Sequence, residues 1–168
     1  GVQTCALPIS GLGNSGPTHW QTIWERERES CERIDLGLWD APNRTSWVNK
    51  LNVAIHRVGR PVILAAHSLG CLAVAWWAKY ERPAYGDPVV GALLVAPPEV
   101  DVSPSDQRLL AFAPTPMIHL PFPSILVASR NDPYLSLPRA YRLAGLWGSE
   151  LVDAGARSEE HTSELQSH

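Results

Sequence analysis

A serine set between small residues, Ala66-His67-Ser68-Leu69-Gly70, is the segment of this chain best suited to covalent chemistry. A serine hydroxyl is a weak nucleophile at neutral pH. It needs an adjacent base, and donors for the oxyanion that its attack creates. A sharp turn between a strand and a helix meets part of that need, because it lifts the hydroxyl above the sheet at a helix N-terminus. The pattern G-x-S-x-G marks such a turn, and here Ala66 stands in place of the first glycine and is still small. An apolar run, Pro61–Ala66, precedes the serine and an apolar helical stretch, Leu69–Glu81, follows it, as the turn requires. The simpler alternative is a serine that caps a buried helix.

An acid and then a histidine should follow such a nucleophile along the chain. Ser124–Ser129 reads as a buried strand, and Asp132 falls where it runs out. Asp132 is therefore the expected acid, orienting and stabilising the histidine. Its other use would be an Asx turn or a helix cap ahead of Pro133. Asp101 and Asp106 follow an earlier strand in a proline-rich loop and are weaker candidates. One oxyanion donor would be the N–H of Leu69, directly after the nucleophile. The second should come from Gly11-Leu12-Gly13-Asn14-Ser15-Gly16, with the Leu12 N–H favoured. The same glycine run fits the G-x-G-x-x-G of a dinucleotide site, with Glu32 or Asp35 near the place of a ribose-binding acid. Such a site needs an apolar strand just before Gly11. No pattern points to a metal or to another cofactor, and none is expected.

The base is missing from its expected place, just past Asp153-Ala-Gly-Ala156. His67 adjoins Ser68 but faces elsewhere in a turn of this kind. His119 precedes the Ser124 strand, at the wrong end for catalysis, and His56 lies on a helix surface. His19 follows the glycine run and could pack with Trp20 as readily as line a site. His161 lies near the needed place only by chance.

The elements that must hold these residues alternate in type. Helical periods at Thr18–Arg28, Ser46–Val58, Leu69–Glu81 and Leu135–Trp147 are interleaved with strand signals. The strands are Glu32–Leu36, Pro61–Ala66, Val89–Ala96, Ser124–Ser129 and one starting at Leu151–Asp153. The expected fold is α/β: a three-layer, α/β-hydrolase-like parallel sheet with helices on both faces and its site at the carboxyl ends of the strands. At 168 residues, 45% hydrophobic and 18% charged, the composition is that of one globular domain. A net charge of −3 invites neither nucleic acid nor an anionic membrane. No apolar run approaches a membrane span, and Gly1–Ser10 lacks the features of a signal peptide. Cys5, Cys31 and Cys71 have no metal-type spacing, so a reduced, cytoplasmic protein is expected.

The two ends read differently from the rest. Arg157–His168 resembles a translated sequencing-library adapter, and Gly1–Ile9 resembles the same adapter read from the opposite strand. Codons ACG TCT GAA CTC CAG for Thr162–Gln166 reverse-complement into a frame that reads Gly1-Val2-Gln3-Thr4. An ordinary polar tail and a proline-containing leader would explain each end but not the pair. The expected native domain is therefore 11–156, with 1–10 and 157–168 outside it. The first strand and the C-terminal end would then be replaced, opening an edge of the sheet.

The interior resembles the small serine hydrolases related to retinoblastoma-binding protein nine and their bacterial relatives. The resemblance runs across nearly all of Gly11–Ala156. It rests on Gly11-Leu-Gly-Asn-Ser-Gly-Pro-Thr-His-Trp20, Trp39-Asp-Ala-Pro42, Ala66-His-Ser-Leu-Gly-Cys71, Ala96-Pro-Pro98, Ser129-Arg-Asn-Asp-Pro-Tyr134 and Asp153-Ala-Gly155. It implies a compact α/β-hydrolase fold without a large lid, Ser68 as nucleophile, Asp132 as acid and a histidine after Gly155. The Gly-His element is absent here, and so is the Leu-x-Cys-x-Glu pocket-protein motif, so no retinoblastoma binding is carried over. The expected function is hydrolysis of small carboxylic esters or amides by Ser-His-Asp catalysis, with this polypeptide nearly inactive for want of the histidine. The alternatives are a protein-binding module on the same scaffold and a dinucleotide-binding domain.

Overall fold

The computed structural model describes residues 4–11, 33–34, 36–37, 40–102 and 106–155. Along the chain they form β1 (Cys5–Ile9), α1 (Arg44–Val58), β2 (Val62–His67), α2 (Leu69–Glu81) and β3 (Val89–Val95). A short 3-10 helix (Gln107–Phe112), β4 (Ser124–Ala128), α3 (Leu137–Trp147) and β5 (Glu150–Asp153) follow. The strands lie side by side in chain order, and every neighbouring pair is parallel. All strand carboxyl ends therefore share one rim of the sheet. The expected helix at Thr18–Arg28 lies outside the described residues, and the strand expected at Glu32–Leu36 lies there in part.

Period-two alternation sorts the strand residues onto two faces. Leu7, Leu64, Leu94 and Leu126 point into a core shared with all three described helices, while Ala65, Val95 and Val127 form a smaller cluster on the other face. Helix α2 is buried continuously from Leu69 to Ala78. That burial explains its all-round apolar sequence. Asn43 opens α1 by accepting the Ser46 N–H at 2.9 Å. Fully buried Trp47, Trp77 and Trp147 each place a large ring in this core. Their indole N–H groups reach Gly37 O at 3.0 Å, Asn52 Oδ1 at 3.0 Å and Pro116 O at 3.1 Å. Pairing the polar tip lets a tryptophan be buried without an orphaned donor.

Cys5–Ile9 falls in the segment set outside the domain, yet it pairs with β2 from Cys5↔Val62 to Ile9↔Ala66 and buries Cys5, Leu7 and Ile9. The edge of β2 is therefore covered. Among the described strands β1 lies at the end of the sheet, and Pro8 is tolerated there. Its carbonyl accepts the Ile34 N–H at 3.1 Å on the side away from β2, so the donor it lacks removes no bond to β2.

Candidate active site

Ser68 links β2 directly to α2 and takes φ 55°, ψ −127°, a conformation that side-chain-bearing residues rarely adopt. Such a backbone costs on the order of 1–3 kcal/mol and persists only where the surroundings impose it. The surroundings here are specific. The Ser68 N–H donates to Val95 O at 2.8 Å, and Ser68 O accepts the Cys71 N–H at 2.9 Å. The Cys71 thiol donates to the same Val95 carbonyl at 3.5 Å. Burial pushes that thiol far above its ordinary pKa, so Cys71 is no rival nucleophile.

Two glycines show why the turn is built of small residues. A Cβ at Gly70 would come within 2.7 Å of Ile9 O and 2.9 Å of Ser10 O, so the first turn of α2 sits against the end of β1. A Cβ at Gly11 would meet Ser68 Cβ at 2.8 Å and the Leu69 nitrogen at 3.0 Å. The chain leaving β1 therefore passes directly beside Ser68 and the Leu69 amide. Leu69 is the first residue of α2, and an N–H at that position has no acceptor within its own helix. The strand that a dinucleotide site would need ahead of Gly11 does exist. Its end is packed against the serine turn instead.

Asp132 lies half-buried beyond the end of β4. Its Oδ1 accepts the Tyr134 N–H at 2.8 Å, so the Asx turn weighed as its alternative use is present. A carboxylate has acceptor sites beyond that one, and the turn also fixes its direction. Strands β2 and β4 flank β3, so at a spacing of about 4.8 Å their ends stand roughly 10 Å apart. At the rim between them Ala96 ends β3 at φ 52°, with its N–H on Val127 O at 2.9 Å.

The chain leaving β5 is tied to the loop that carries Asp132. The Arg130 N–H donates to Gly155 O at 2.7 Å, and its guanidinium reaches Asp153 Oδ2 at 3.2 Å. Asp153 Oδ1 accepts the Gly155 N–H at 2.7 Å, and that bond, with Arg130, holds its carboxyl below the usual carboxylate range. The position where a base should follow Gly155 thus begins beside Asp132's own loop.

The remaining candidates fall into structural roles. Asp101 Oδ1 accepts the Thr115 N–H at 2.7 Å. Asp106 caps the 3-10 helix and pairs with Arg108 at 2.6 Å, and those bonds lower its pKa. His67 is buried on the sheet face away from the described helices, in register with Val95. His56 is exposed on α1, and His119 lies against Gly148 at the other end of α3. Leu12 and His19 lie outside the described residues, as does everything after Gly155. Sequence reasoning missed the steric role of Gly11 and the strained turn at Ala96. The Ala96-Pro-Pro98 motif was the available signal for the second. Among the described residues no three His, Cys, Asp or Glu side chains gather as a metal site, and no helix is long and apolar enough to cross a membrane.

A parallel sheet carrying a strained serine between its second strand and the following helix is the frame of an α/β hydrolase. The chain belongs to the serine hydrolase family, whose profile matches residues 6–164. It is similar to a YdeN-like hydrolase from Pectobacterium atrosepticum, at 30% identity and a TM-score of 0.82, over 96% of this chain and 82% of that one. The ydeN product of Bacillus subtilis shares the fold at 20% identity and a TM-score of 0.69, over 90% and 85% of the two chains. Est1E from Butyrivibrio proteoclasticus does so at 13% identity and a TM-score of 0.67, over 97% and 84%. A comparison with curated proteins finds no match.

Proposed function

We propose that the site hydrolyses small carboxylic esters or amides, with Ser68 as nucleophile and Asp132 as the acid that orients the base. The observation that carries this reading is the strained Ser68 turn with Gly11 seated against the Leu69 nitrogen. An acyl carbonyl held there would meet the Ser68 hydroxyl on one side and the Leu69 N–H on the other, with Leu12 N–H as the second donor. As Ser68 Oγ forms its bond to the carbonyl carbon, its proton passes to an imidazole, which returns it to the leaving alcohol or amine. Water then adds to the acyl-serine by the same proton transfer in reverse and frees the acid.

The imidazole is the part of the triad that no described residue supplies. The sequence assigns no histidine to the position after Gly155, so turnover should be slow and limited to what the oxyanion donors supply. A fluorophosphonate probe, which esterifies activated serines, provides the test. Labelling should be slow, should map to Ser68 by mass spectrometry, and should accelerate when free imidazole is added. Labelling unchanged in Ser68→Ala would overturn the reading in favour of a site elsewhere. A complete absence of Ser68 labelling, with or without imidazole, would favour a binding module on this scaffold.

A further inference from the structure

The loop that carries Asp132 touches the loop after β3 through a chain of bonds that the triad does not require. Tyr134 is held at both ends of its backbone: its N–H donates to Asp132 Oδ1 at 2.8 Å, and its carbonyl accepts the Glu99 N–H at 2.8 Å. Glu99 is itself fixed by its side chain. Its Oε1 accepts the Asp101 N–H at 2.8 Å, and its Oε2 accepts Arg139 Nη1 at 2.9 Å. Arg139 is in the first turn of α3, the helix that begins where the acid loop ends. Glu99 therefore joins the rim of β3, the Asp132–Tyr134 turn and the start of α3.

We infer that Glu99, braced by Arg139, is a positioning residue that sets the direction of the Asp132 carboxylate through Tyr134. The inference rests on the reading of Asp132 as the acid. A purely stabilising role fits the exposures poorly. The Glu99 side chain is 19% exposed and the Arg139 side chain 41%, so the pair is screened by water on the arginine side and contributes only modestly to global stability. What such a pair can do is select one arrangement of a loop. A carboxylate that must meet an imidazole within a few tenths of an ångström is sensitive to that selection. The strained turn at Ala96 belongs to the same device, because it aims Pro97, Pro98 and Glu99 across the rim from β3.

Glu99→Gln tests this cleanly, because the amide oxygen can still accept the Asp101 N–H while the charge opposite Arg139 is lost. Imidazole-supported hydrolysis of an unactivated alkyl ester, measured as the excess over Ser68→Ala, should fall roughly tenfold in kcat at constant KM. Arg139→Met should do the same, Arg139→Lys should retain most of the rate, and the melting temperature should hardly move in any of them. The Tyr134 amide resonance, which reports its bond to Asp132, should shift in Glu99→Gln and Arg139→Met but not in Arg139→Lys. Parental rates with an unmoved Tyr134 resonance would overturn the inference. So would an equal loss in Arg139→Lys and Arg139→Met, which would mean that the charge is irrelevant. Asp132→Asn separates the two readings. If it leaves the supported rate unchanged, Asp132 is not the acid, whatever the Tyr134 resonance does.

Discussion

The ends of β2 and β4 lie two strands apart on one rim, and they hold their functional residues by opposite means. At β2 Ser68, the proposed nucleophile, is fixed by backbone and by the absence of side chains. Gly70 lies against two carbonyls of the β1 end, Gly11 lies against Ser68, and the Val95 carbonyl receives both the Ser68 N–H and the Cys71 thiol. At β4 Asp132, the proposed acid, stands in a half-exposed loop held by polar contacts: the Asx turn to Tyr134, the Glu99–Tyr134 bond and the Arg130 link to Gly155. Close-packed contacts have no slack, because adding one methyl must move backbone. Polar contacts at a wet surface can be exchanged for water at small cost. The nucleophile end should therefore break abruptly under small steric changes, and the acid end should lose function by degrees.

The largest effect is expected from Gly70→Val. The added side chain would begin within 2.7 Å of Ile9 O and could be accommodated only by parting α2 from β1. Fluorophosphonate labelling of Ser68 should fall at least about a hundredfold, since small misplacements of reacting groups cost that much. Urea unfolding should show a loss of about 1–3 kcal/mol, as overpacking typically does. A variant that labels at the parental rate would show that the turn tolerates slack, and the contrast between the two ends would disappear.

Asp132→Asn should come next and should behave differently. Asparagine keeps an oxygen for the Tyr134 N–H, so the loop should keep its shape and the unfolding midpoint its value. Imidazole-supported ester turnover should still fall by about tenfold or more, because the negative charge that stabilises an imidazolium is gone. A matching fall in stability would make Asp132 a structural residue, as its Asx turn alone would suggest.

The two ends also differ in how far the sequence disclosed them. The strand, serine and helix around Ser68 were legible, and Leu69–Glu81 was bounded correctly, because apolar periodicity and small residues are local signals. The position of Asp132 beyond a buried strand was legible for the same reason. Its support was not, because Glu99 and Arg139 lie forty residues apart and look like ordinary surface charges until the fold brings them together. Strand β1 was missed on different grounds. Gly1–Ile9 was set outside the domain because it resembles a translated adapter, and that likeness carries no information on whether Cys5–Ile9 pairs with β2. The strain at Ala96 could be suspected only from the Ala96-Pro-Pro98 motif, because alanine itself carries no sign of a positive φ.

A smaller effect with the opposite sign is expected at Ser68 itself. Glycine reaches φ 55° without the penalty that a Cβ imposes, so Ser68→Gly should raise stability by about 1 kcal/mol. Ser68→Ala, which keeps the Cβ, should leave the unfolding midpoint near that of the parent. Both should abolish labelling. An equal midpoint for the two variants would mean that the turn stores no strain.

The smallest effect concerns pH and belongs to the acid end. The Gly155 N–H and Arg130 hold the Asp153 carboxyl below its usual range in the folded chain. A carboxyl with a lowered native pKa binds protons less readily folded than unfolded. Its contribution is therefore complete above about pH 4 and is lost as the pH falls through the lowered native value. Asp153→Asn removes that dependence, so the gap between parent and variant midpoints should be widest near neutrality and should close in acid. Asp153 is well exposed, so the change should be small and should shrink further in high salt. Tested alongside Gly70→Val, it completes the contrast. The acid end should respond to protons and salt, whereas the nucleophile end, held by backbone contact, should respond to neither.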